Sequence, residues 1–389
     1  MKFKRVFLLI LDSLGVGESI DANDYGDTGA NTLKHVIESY DMFIPNLKRL
    51  GFTDTINMND NDDVDAYYTI ARPTNVGKDS LTSHYEIVGI RSTTPFKTFS
   101  EKAFPSELIA QIEAVTGMSV LGNKVENGED IINELGERHL YYGGLIVYTS
   151  SDSTLQVAAH EDVVPIPKLY NYCERIRKIT LDDQWRIARI IARPFTGKPG
   201  KFKFTSDRCD YAVSPPSKSI MDSLKEHDYS VISIGKISDI FDGQGITKII
   251  KSSFNNMDTI NKLTDIMSKK FSGLCIANLS DFDAMYGHNR DSVGYAKAIE
   301  EFDVEVPMIL NKLENDDLLI ITADHGNDPT FPGNAHTREN VPVMVFSRMF
   351  RTPGKLDILN SMADIGATIA ENFDVEAPPI GQSFLDKLK

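Results

Sequence analysis

Six aspartate and histidine side chains of this sequence have the types and the clustering of divalent-metal ligands. They lie in four short segments, and they are Asp12, Asp283, His288, Asp324, His325 and His336. A mixed set of carboxylate and imidazole ligands suits Mn²⁺, Zn²⁺ or Mg²⁺, and the lack of a thiolate argues against a structural zinc site. A single Asp-His pair is more often a turn or surface feature, but the combination predicts a metal centre.

The segment at residues 77–86, GKDSLTSHYE, contains several hydroxyl groups, one of which could act as a nucleophile. Ser83 and Glu86 have the spacing of a capping box, which predicts the start of a helix and requires no chemistry. Ser80 and Thr82 are the candidates for reaction, and capping by Ser83 would be compatible with it. A serine hydroxyl is a poor nucleophile near neutral pH, and contact with a divalent metal would lower its pKa and orient it.

Buried strands are needed to hold these side chains, and apolar, β-branched runs predict them. The runs are Val6–Leu11, Leu145–Tyr148, Val231–Ile234, Leu274–Ala277, Leu318–Ile321 and Val343–Phe346. Such runs are typical of parallel strands that are covered on both faces, and helical patterns lie between them. The alternation predicts a doubly wound α/β core. Within the predicted helix Ser292–Leu313, Pro307 should kink or restart the helix.

Three of the predicted strands lead directly into acidic or histidine-bearing segments, which contain Asp12, Asp281 with Asp283, and Asp324. In open α/β sheets, ligands bind at the carboxyl ends of the strands. The sequence therefore predicts that these carboxylates meet at one edge of the sheet.

A chain of 389 residues suggests two domains. Segments rich in lysine and phenylalanine, at residues 96–99 and 198–204, bracket a stretch that has its own predicted helices. We therefore expect a second domain inserted at residues 95–212. Residues 1–94 and 213–389 would then form a discontinuous core that carries the predicted metal ligands.

The composition is that of an ordinary globular protein, and the formal net charge of -15 argues against a nucleic-acid partner. No apolar run approaches the roughly 20 residues that span a bilayer, so no membrane partner is expected. The apolar run at the N-terminus is short and ends at Asp12, which predicts a buried strand rather than a signal peptide. Three distant cysteines without zinc or redox spacing indicate a reduced, cytoplasmic protein, and we expect a monomer.

Taken in order, several motifs of the chain resemble those of the phosphopentomutases, members of the alkaline phosphatase superfamily. The motifs are Leu11-Asp12-Ser13, Gly77-Lys78-Asp79-Ser80, DFDAMYGH at 281–288, TADHGNDP at 322–329 and PGNAHTRE at 332–339. The resemblance extends along essentially the whole chain, through segments 145–150, 191–195, 234–240 and 363–368. It implies an alkaline-phosphatase-like α/β core with an inserted α/β cap domain.

The resemblance also implies a centre of two divalent metal ions, usually Mn²⁺. The family nucleophile falls on Ser80, which would be carried as a phosphorylated residue. Carried over by position, the implied ligands form two sets: Asp12, Asp324, His325 and Ser80 for one ion, and Asp283, His288 and His336 for the other.

In this family, a phosphorylated enzyme donates its phosphoryl group to C1 or C5 of a pentose phosphate, and the resulting bisphosphate returns the other group. The resemblance thus implies a phosphomutase, an isomerase of the intramolecular phosphotransferase class, that acts on small sugar phosphates with a sugar bisphosphate as activator. The cap would exclude water from the phosphoenzyme. The implied substrate contacts are Ser150 and Asp152 for sugar hydroxyls, and Arg193, Arg208 and Lys236 for the distal phosphate.

The sequence departs from the family pattern mainly on the substrate side. Ser80 replaces the usual threonine, and Ala335 replaces an aspartate before His336, so a partner of that ligand would be missing. In the cap, Phe204 stands where an arginine is typical, and Thr154 replaces a small apolar residue. These changes leave the metal ligands intact, so they bear on the identity of the sugar rather than on phosphoryl transfer.

The leading interpretation is a phosphopentomutase that interconverts ribose or deoxyribose 1-phosphate and 5-phosphate. One alternative is a phosphatase, or a mutase of the same superfamily, that acts on a different sugar phosphate. Another is a non-catalytic protein that binds sugar phosphates or metals, which the complete ligand set and the serine disfavour.

Overall fold

A computed structural model describes residues 2–58, 63–99, 101–150, 153–252 and 255–389. The chain forms two compact units. Unit 1 consists of residues 1–94 with 215–389, and unit 2 of residues 95–214. Each unit contains its own β-sheet with helices, so the predicted α/β fold class is confirmed. The assignment of the units to a catalytic core and a cap stays a prediction.

The strands account for most of the buried apolar runs of the sequence. They are β1 (Arg5–Leu11), β2 (Tyr67–Ala71), β3 (Val120–Val125), β4 (Leu145–Thr149), β5 (Thr154–His160), β6 (Arg189–Thr196), β7 (Lys203–Phe204), β8 (Cys209–Ala212), β9 (Ser230–Ile234), β10 (Lys248–Ile250), β11 (Gly273–Leu279), β12 (Asp317–Thr322) and β13 (Val341–Phe346).

The α-helices occupy the segments between the strands. They are α1 (Thr32–Ser39), α2 (Pro45–Arg49), α3 (Ser80–Ile87), α4 (Ser106–Thr116), α5 (Gly128–Tyr142), α6 (Ile166–Ile179), α7 (Ile220–Glu226), α8 (Ile237–Ile240), α9 (Asn256–Met267), α10 (Ser292–Lys312) and α11 (Ala363–Phe373). Short 3-10 segments lie at Ala22–Tyr25, Thr53–Ile56 and Leu385–Lys387, and a π-helical turn at Phe282–Gly287. Within the described parts of the chain, no helix has the length and apolar character that crossing a bilayer requires.

The sheet of unit 1 brings three predicted strand ends to the same edge. Its seven strands have the order β10-β9-β11-β1-β12-β13-β2. β1 pairs in parallel with β11 on one side and with β12 on the other, so that Leu11 lies beside Leu279, and Ile10 beside Thr322. Every residue of these three strands is buried, as expected for a sheet that is covered on both faces.

One strand of this sheet differs from the predicted parallel arrangement. β13 is antiparallel to both β12 and β2, so the sheet is mixed. Its sequence is a continuous apolar run like those of the parallel strands, because burial on both faces governs the composition of a strand and its direction does not.

Unit 2 is built on a second mixed sheet. Its strand order is β3-β4-β5-β6-β7, and β6 pairs with β8 as well as with β7. Two apolar clusters lie on alternating strand residues: Leu145, Val147 and Val157 belong to one, whereas Ile146 and Ala158 belong to the other. The alternation places the clusters on opposite faces of the sheet.

Helix α10 runs without interruption through Pro307, so of the two predicted effects the restart does not occur, and the kink stays a prediction. A proline removes the N–H that would bond the carbonyl four residues earlier, which is the carbonyl of Asp303. The side chain of Asn46 donates to that carbonyl at 3.1 Å. Because a neighbouring segment satisfies the freed acceptor, the helix can continue.

Candidate metal centre

Asp12, Asp324 and His325 form the first of two ligand groups in unit 1. Asp12 follows β1 directly, while Asp324 and His325 follow the adjacent strand β12. His325 Nε2 lies 3.2 Å from Asp324 Oδ2 and 3.7 Å from Asp12 Oδ1. All three residues are buried, so the two strand ends place their carboxylates and one imidazole together away from solvent.

Asp283, His288 and His336 form the second group. The π-helical turn after β11 carries Asp283 and turns the chain so that His288 Nε2 lies 3.2 Å from Asp283 Oδ2. His336 comes from the loop before β13, and its Nε2 lies 3.4 Å from Asp283 Oδ1. Within each of the two groups, the possible ligand atoms lie within 4.8 Å of one another.

The two groups adjoin in a single pocket. The rings of His325, from the first group, and His336, from the second, stack with their centroids 3.8 Å apart. The structure thus brings together the six side chains that the sequence singled out as metal ligands.

All three histidines are oriented by the ring nitrogen that faces away from the pocket. In each ring, Nδ1 lies at hydrogen-bonding distance from a backbone carbonyl. Because a carbonyl oxygen can only accept, Nδ1 must carry the proton, and in the neutral ring Nε2 then carries the lone pair. The pairs are His288 with Asn334 at 2.8 Å, His325 with Gly326 at 3.1 Å and His336 with Lys78 at 2.9 Å. This is the tautomer that a metal ligand binding through Nε2 needs.

The bond of His336 answers a question raised by Ala335. The sequence predicted that the ligand would lose a partner, because no aspartate precedes it. The carbonyl oxygen of Lys78, two residues before Ser80, accepts the Nδ1–H instead. That prediction was therefore wrong, since a backbone carbonyl provides the missing acceptor.

The pocket fits divalent cations. Among the residues that the structure describes, two buried carboxylate oxygens, Asp12 Oδ1 and Asp324 Oδ2, have no hydrogen-bond partner. The Nε2 atoms of His288 and His336 lie 3.2 Å apart, and their lone pairs would repel each other unless a cation or a proton lay between them. A mixed set of carboxylate and imidazole groups that includes such buried carboxylate oxygens suits a divalent cation.

The charges of the pocket shift the protonation of its groups strongly. Burial, with Asp324 as a second cause, raises the pKa of Asp12 to about 8. Burial also opposes ionisation of Asp324, but His325 outweighs it and lowers the pKa of that carboxyl. Burial would lower the pKa of His325, whereas Asp324 raises it to about 10. Without a metal, protons must offset the negative charge of this pocket.

Ser80 faces the first ligand group from the first position of α3. Its Oγ lies 3.0 Å from His325 Nε2. Asp79 caps the helix, because its side chain accepts from the Thr82 backbone N–H at 2.9 Å. The hydroxyl of Thr82 donates to Asp79 Oδ2 at 2.8 Å, so this second candidate is engaged in the cap.

The predicted capping box at Ser83 was wrong. Ser83 lies inside α3, one turn after its start. Glu86 instead accepts hydrogen bonds from the Thr74 and Asn75 backbone N–H groups. The helix begins earlier than the capping box indicated, and the aspartate directly before Ser80 caps it.

Lys236, a predicted phosphate contact, lies beside Asp12 and Ser80 in this pocket. Its ammonium donates to Asp12 Oδ2 and lies 3.5 Å from Ser80 Oγ. Burial alone would lower the pKa of Lys236, but Asp12 and the other carboxylates of the pocket raise it. The ammonium therefore stays charged beside the serine.

Several residues that hold the ligands were missed by sequence reasoning. Asn278 Nδ2 donates to Asp12 Oδ2 at 3.0 Å, and Asn327 Nδ2 donates to Asp283 Oδ1 at 2.8 Å. His84 Nδ1 lies 2.8 Å from the Ser80 carbonyl, and burial lowers the pKa of this histidine to about 4, so the ring is neutral. A signal existed for Asn278, because a polar residue in an otherwise apolar strand is uncommon.

The predicted substrate contacts in unit 2 are only partly within the described residues, because Asp152 lies outside them. Arg193 donates to Gln156 Oε1 at 3.0 Å, and its guanidinium lies 4.0 Å from the centroid of the Phe204 ring. Ser150 Oγ lies 3.2 Å from the Thr154 hydroxyl.

A second arginine of unit 2, Arg208, forms two hydrogen bonds of 2.7 Å with Asp210. Arg189 lies 3.6 Å from the same carboxylate. Arg189, which sequence reasoning did not single out, lies on the same face of β6 as Arg193.

One family model and several solved structures are similar to this chain. A family model described as the Metalloenzyme superfamily matches residues 4–377. The PH0037 protein from Pyrococcus horikoshii is 15% identical over 96% of this chain and 97% of that chain, with a TM-score of 0.48. A phosphoglycerate mutase from Leishmania mexicana is 13% identical over 98% and 97%, with a TM-score of 0.47.

A protein of the alkaline phosphatase superfamily from Vibrio parahaemolyticus is 12% identical over 99% of this chain and 70% of that chain, with a TM-score of 0.46. The match to the family model covers nearly the whole sequence, whereas the structural likenesses are distant.

Proposed function

Since the chain belongs to the Metalloenzyme superfamily, we propose that it is a metal-dependent phosphomutase that uses Ser80 as its nucleophile. The observation that carries the proposal is the position of Ser80 Oγ, 3.0 Å from His325 Nε2 at the edge of the six-ligand pocket. A hydroxyl held against a metal site suits covalent phosphoryl transfer, and a purely structural metal site has no use for one.

The proposed reaction has two halves. In the first, a sugar hydroxyl attacks the phosphoryl group on Ser80, the Ser80 O–P bond breaks, and the sugar phosphate becomes a bisphosphate. In the second, Ser80 Oγ attacks the other phosphoryl group, which restores the phosphoserine and releases the isomeric monophosphate. Each half forms one O–P bond and breaks one, and the proton lost by the attacking hydroxyl is matched by the one gained by the leaving oxygen.

The residues of the pocket have separate tasks in this proposal. Bound divalent ions, Mn²⁺ in the first instance, would lower the pKa of the Ser80 hydroxyl and neutralise charge on the phosphoryl oxygens. Lys236, charged and 3.5 Å from Ser80 Oγ, stabilises the same oxygens. The first backbone N–H groups of α3, those of Ser80 and Leu81, would add further donors.

Within this class of reaction, we propose the substrates to be ribose or deoxyribose 1-phosphate and 5-phosphate. The support is the set of phosphopentomutase-like motifs along the chain. Unit 2 would bind the distal phosphate through Arg193 and Arg208, whose guanidinium groups suit a phosphate. Ser150 and Asp152 would bind the sugar hydroxyls.

A second candidate, a phosphatase or mutase for a different sugar phosphate, is favoured by one observation. Phe204, which stands where the resembling family has an arginine, lies over the guanidinium of Arg193. This substitution removes a cation from the phosphate-binding side and puts an aromatic ring in its place, which changes the shape and the charge that a ligand meets.

Product analysis distinguishes these functions. The protein is supplied with ribose 5-phosphate, Mn²⁺ and a sugar bisphosphate, with a parallel sample in excess chelator, and the products are followed by ³¹P NMR. Metal-dependent formation of ribose 1-phosphate is expected. Free phosphate alone would identify a phosphatase, and a mutase product from another pentose or hexose phosphate would move the substrate assignment. No turnover of any sugar phosphate would overturn the proposal.

A further inference from the structure

The loop that precedes Ser80 is held by a buried arginine from the opposite side of the pocket. We call residues 73–79 the nucleophile loop. Arg338, which is 4% exposed, donates through Nη1 to the carbonyls of Asn75 at 2.9 Å and Gly77 at 2.6 Å. Through Nη2 it donates to the carbonyl of Pro73 at 3.1 Å. One guanidinium therefore binds three carbonyls of the same loop.

The remaining N–H groups of Arg338 fix the guanidinium itself. Nε donates to Asp21 Oδ1 at 3.0 Å, and Nη2 donates to Asp21 Oδ2 at 2.8 Å. The Tyr25 ring lies 5.0 Å from the guanidinium carbon, and its hydroxyl accepts from the Gly77 N–H at 3.0 Å. A guanidinium has five N–H donors, and each of those of Arg338 has an acceptor. The side chain is thus a rigid brace.

A second link joins the same two segments. Asp27 accepts from Lys78 Nζ at 2.9 and 2.6 Å, and it also accepts from the Arg338 backbone N–H at 2.8 Å. The carbonyl of Lys78 is the acceptor that orients His336. The nucleophile loop is therefore in direct contact with a predicted metal ligand at one residue and leads to Ser80 two residues later.

We propose that Arg338 is a positioning residue. By holding the carbonyls of the nucleophile loop in place, it fixes the positions of His336 and Ser80 relative to each other. The inference rests on the proposed function, in which these residues are ligand and nucleophile. Without the guanidinium, three loop carbonyls lose a donor and the loop relaxes. The Lys78 carbonyl then leaves His336, whose Nε2 is no longer aimed at the pocket, and Ser80 loses its place beside His325.

Arg338→Ala tests this, with Arg5→Ala as the matched control. Arg5 is 2% exposed, pairs with Asp317, and donates to the carbonyls of Met267 and Lys269. It lies at the first residue of β1, and Asp12 follows the other end of that strand. Both variants lose a buried arginine that has carboxylate and carbonyl partners, with Glu314 as a second carboxylate near Arg5. Of the two arginines, only Arg338 contacts the nucleophile loop.

The readouts are Mn²⁺ binding, from electron paramagnetic resonance of free Mn²⁺, and phosphorylation of Ser80, from intact mass. For Arg338→Ala we expect Mn²⁺ affinity at one of two sites to fall at least about tenfold, as for other residues that orient a metal ligand. Phosphoserine should be lost as well. For Arg5→Ala, Mn²⁺ affinity should stay within about twofold of wild type even where thermal stability falls.

Chemical rescue separates positioning from general destabilisation. Millimolar guanidinium should restore Mn²⁺ affinity to Arg338→Ala, whereas methylammonium should not, because only a planar fork can bind several carbonyls at once. Arg338→Lys, which keeps the charge without the fork, should stay impaired. Wild-type Mn²⁺ affinity in folded Arg338→Ala, or equal losses in both alanine variants without rescue, would refute the proposal.

If Arg338→Ala does not fold, Arg338→Lys takes its place, because it keeps the charge and loses the planar guanidinium that contacts three loop carbonyls. A folded Arg338→Lys protein with unchanged Mn²⁺ binding would then overturn the inference. The Mn²⁺ measurements need no turnover. A wild-type protein that binds Mn²⁺ but isomerises no sugar phosphate would end the proposed function and leave the positioning role of Arg338 to be judged by the variants.

Discussion

At the scale of single residues, the charge of the pocket is suited to metal ions and a phosphoryl group together. Its carboxylates are those of Asp12, Asp283 and Asp324, and all three are buried. Lys236 offsets one of these charges, so the pocket is doubly negative when its imidazoles are neutral. Two divalent cations would change the charge of the pocket from about −2 to +2, and a phosphoryl dianion would then bring it to zero.

Ser80→Ala should abolish covalent phosphorylation and leave the metal ligands in place. The substitution removes only the Oγ that lies beside His325 and Lys236. Phosphoserine should vanish from the intact mass after incubation with a sugar bisphosphate, while Mn²⁺ content is retained. Thr82→Ala, which removes a hydroxyl engaged with the Asp79 cap, is the control. A phosphorylated species undiminished in Ser80→Ala would remove the serine from its proposed role.

His139 should make folding stability depend on pH. Burial lowers the pKa of this histidine to about 4, and its ring is fully enclosed between the Gly144 carbonyl and the His160 N–H. Between about pH 4 and 6.5, the unfolded chain binds a proton that the folded chain excludes. The contribution of the neutral ring to the free energy of unfolding is complete above pH 6.5. It decreases as the pH falls towards 4, and the total loss is at most about 3 kcal/mol.

The measurement is the free energy of urea unfolding as a function of pH for wild type and His139→Gln. The variant should be less stable but should show a smaller slope with pH. His227→Gln, which alters an exposed histidine, should keep the wild-type slope. Equal slopes for wild type and His139→Gln would contradict the prediction.

At the scale of elements, the position of Ser80 depends on how α3 is anchored. Glu86, in the last turn of the helix and 1% exposed, accepts from the Thr74 N–H and hydroxyl and from the Asn75 N–H. On another side it accepts from the Ser361 hydroxyl and the Met362 N–H. A single carboxylate thus ties the nucleophile helix to two loops.

Glu86→Ala should destabilise unit 1 by about 3 kcal/mol or more, because it leaves several buried donors without an acceptor. Chemical denaturation with Glu38→Ala as the control checks this. Glu38 has an exposed side chain and a loose ion pair with Lys34, and its loss should change stability by no more than about 0.5 kcal/mol. A comparable, small effect for both variants would contradict the prediction, because it would mean that water replaces Glu86 as the acceptor of these N–H and hydroxyl groups.

At the scale of the whole molecule, the predicted metal ligands and the predicted arginine contacts belong to different compact units. All six ligands lie in residues 1–94 and 215–389, whereas Arg193 and Arg208 lie in residues 95–214. The two functions should therefore be separable by mutation. The cap role of the second unit, the monomeric state and the cytoplasmic location stay predictions.

Arg193→Ala should weaken sugar-phosphate binding about tenfold or more and leave Mn²⁺ content unchanged, since a charged hydrogen bond to phosphate contributes roughly 1.5–3 kcal/mol. Calorimetric titration with ribose 5-phosphate and metal analysis measure the two effects. Arg175→Ala is the control, because this exposed arginine of α6 contacts only the Val115 carbonyl among the described residues. Parallel losses of phosphate and metal would indicate a folding defect.

Local composition was enough to predict much of this protein. Fully buried apolar runs predicted β1, β11 and β12, and the helical patterns between the strands predicted their parallel pairing. Since parallel neighbours end at one edge, the convergence of Asp12, Asp283 and Asp324 could be expected before any coordinates were known. Apolar content says nothing of direction, however, so the antiparallel course of β13 was not predictable.

The tertiary structure alone decided which partner each polar group has. Asp79 rather than Ser83 caps α3, the Lys78 carbonyl rather than an aspartate orients His336, and Asn46 lets α10 pass through Pro307. For His336 and α10 the deciding atom comes from another segment, and for α3 the Thr74 and Asn75 N–H groups occupy the Glu86 carboxylate that a capping box at Ser83 would need. Such partners depend on where segments meet, and a hydrogen bond can use any nearby donor or acceptor, so no residue pattern along the chain encodes them.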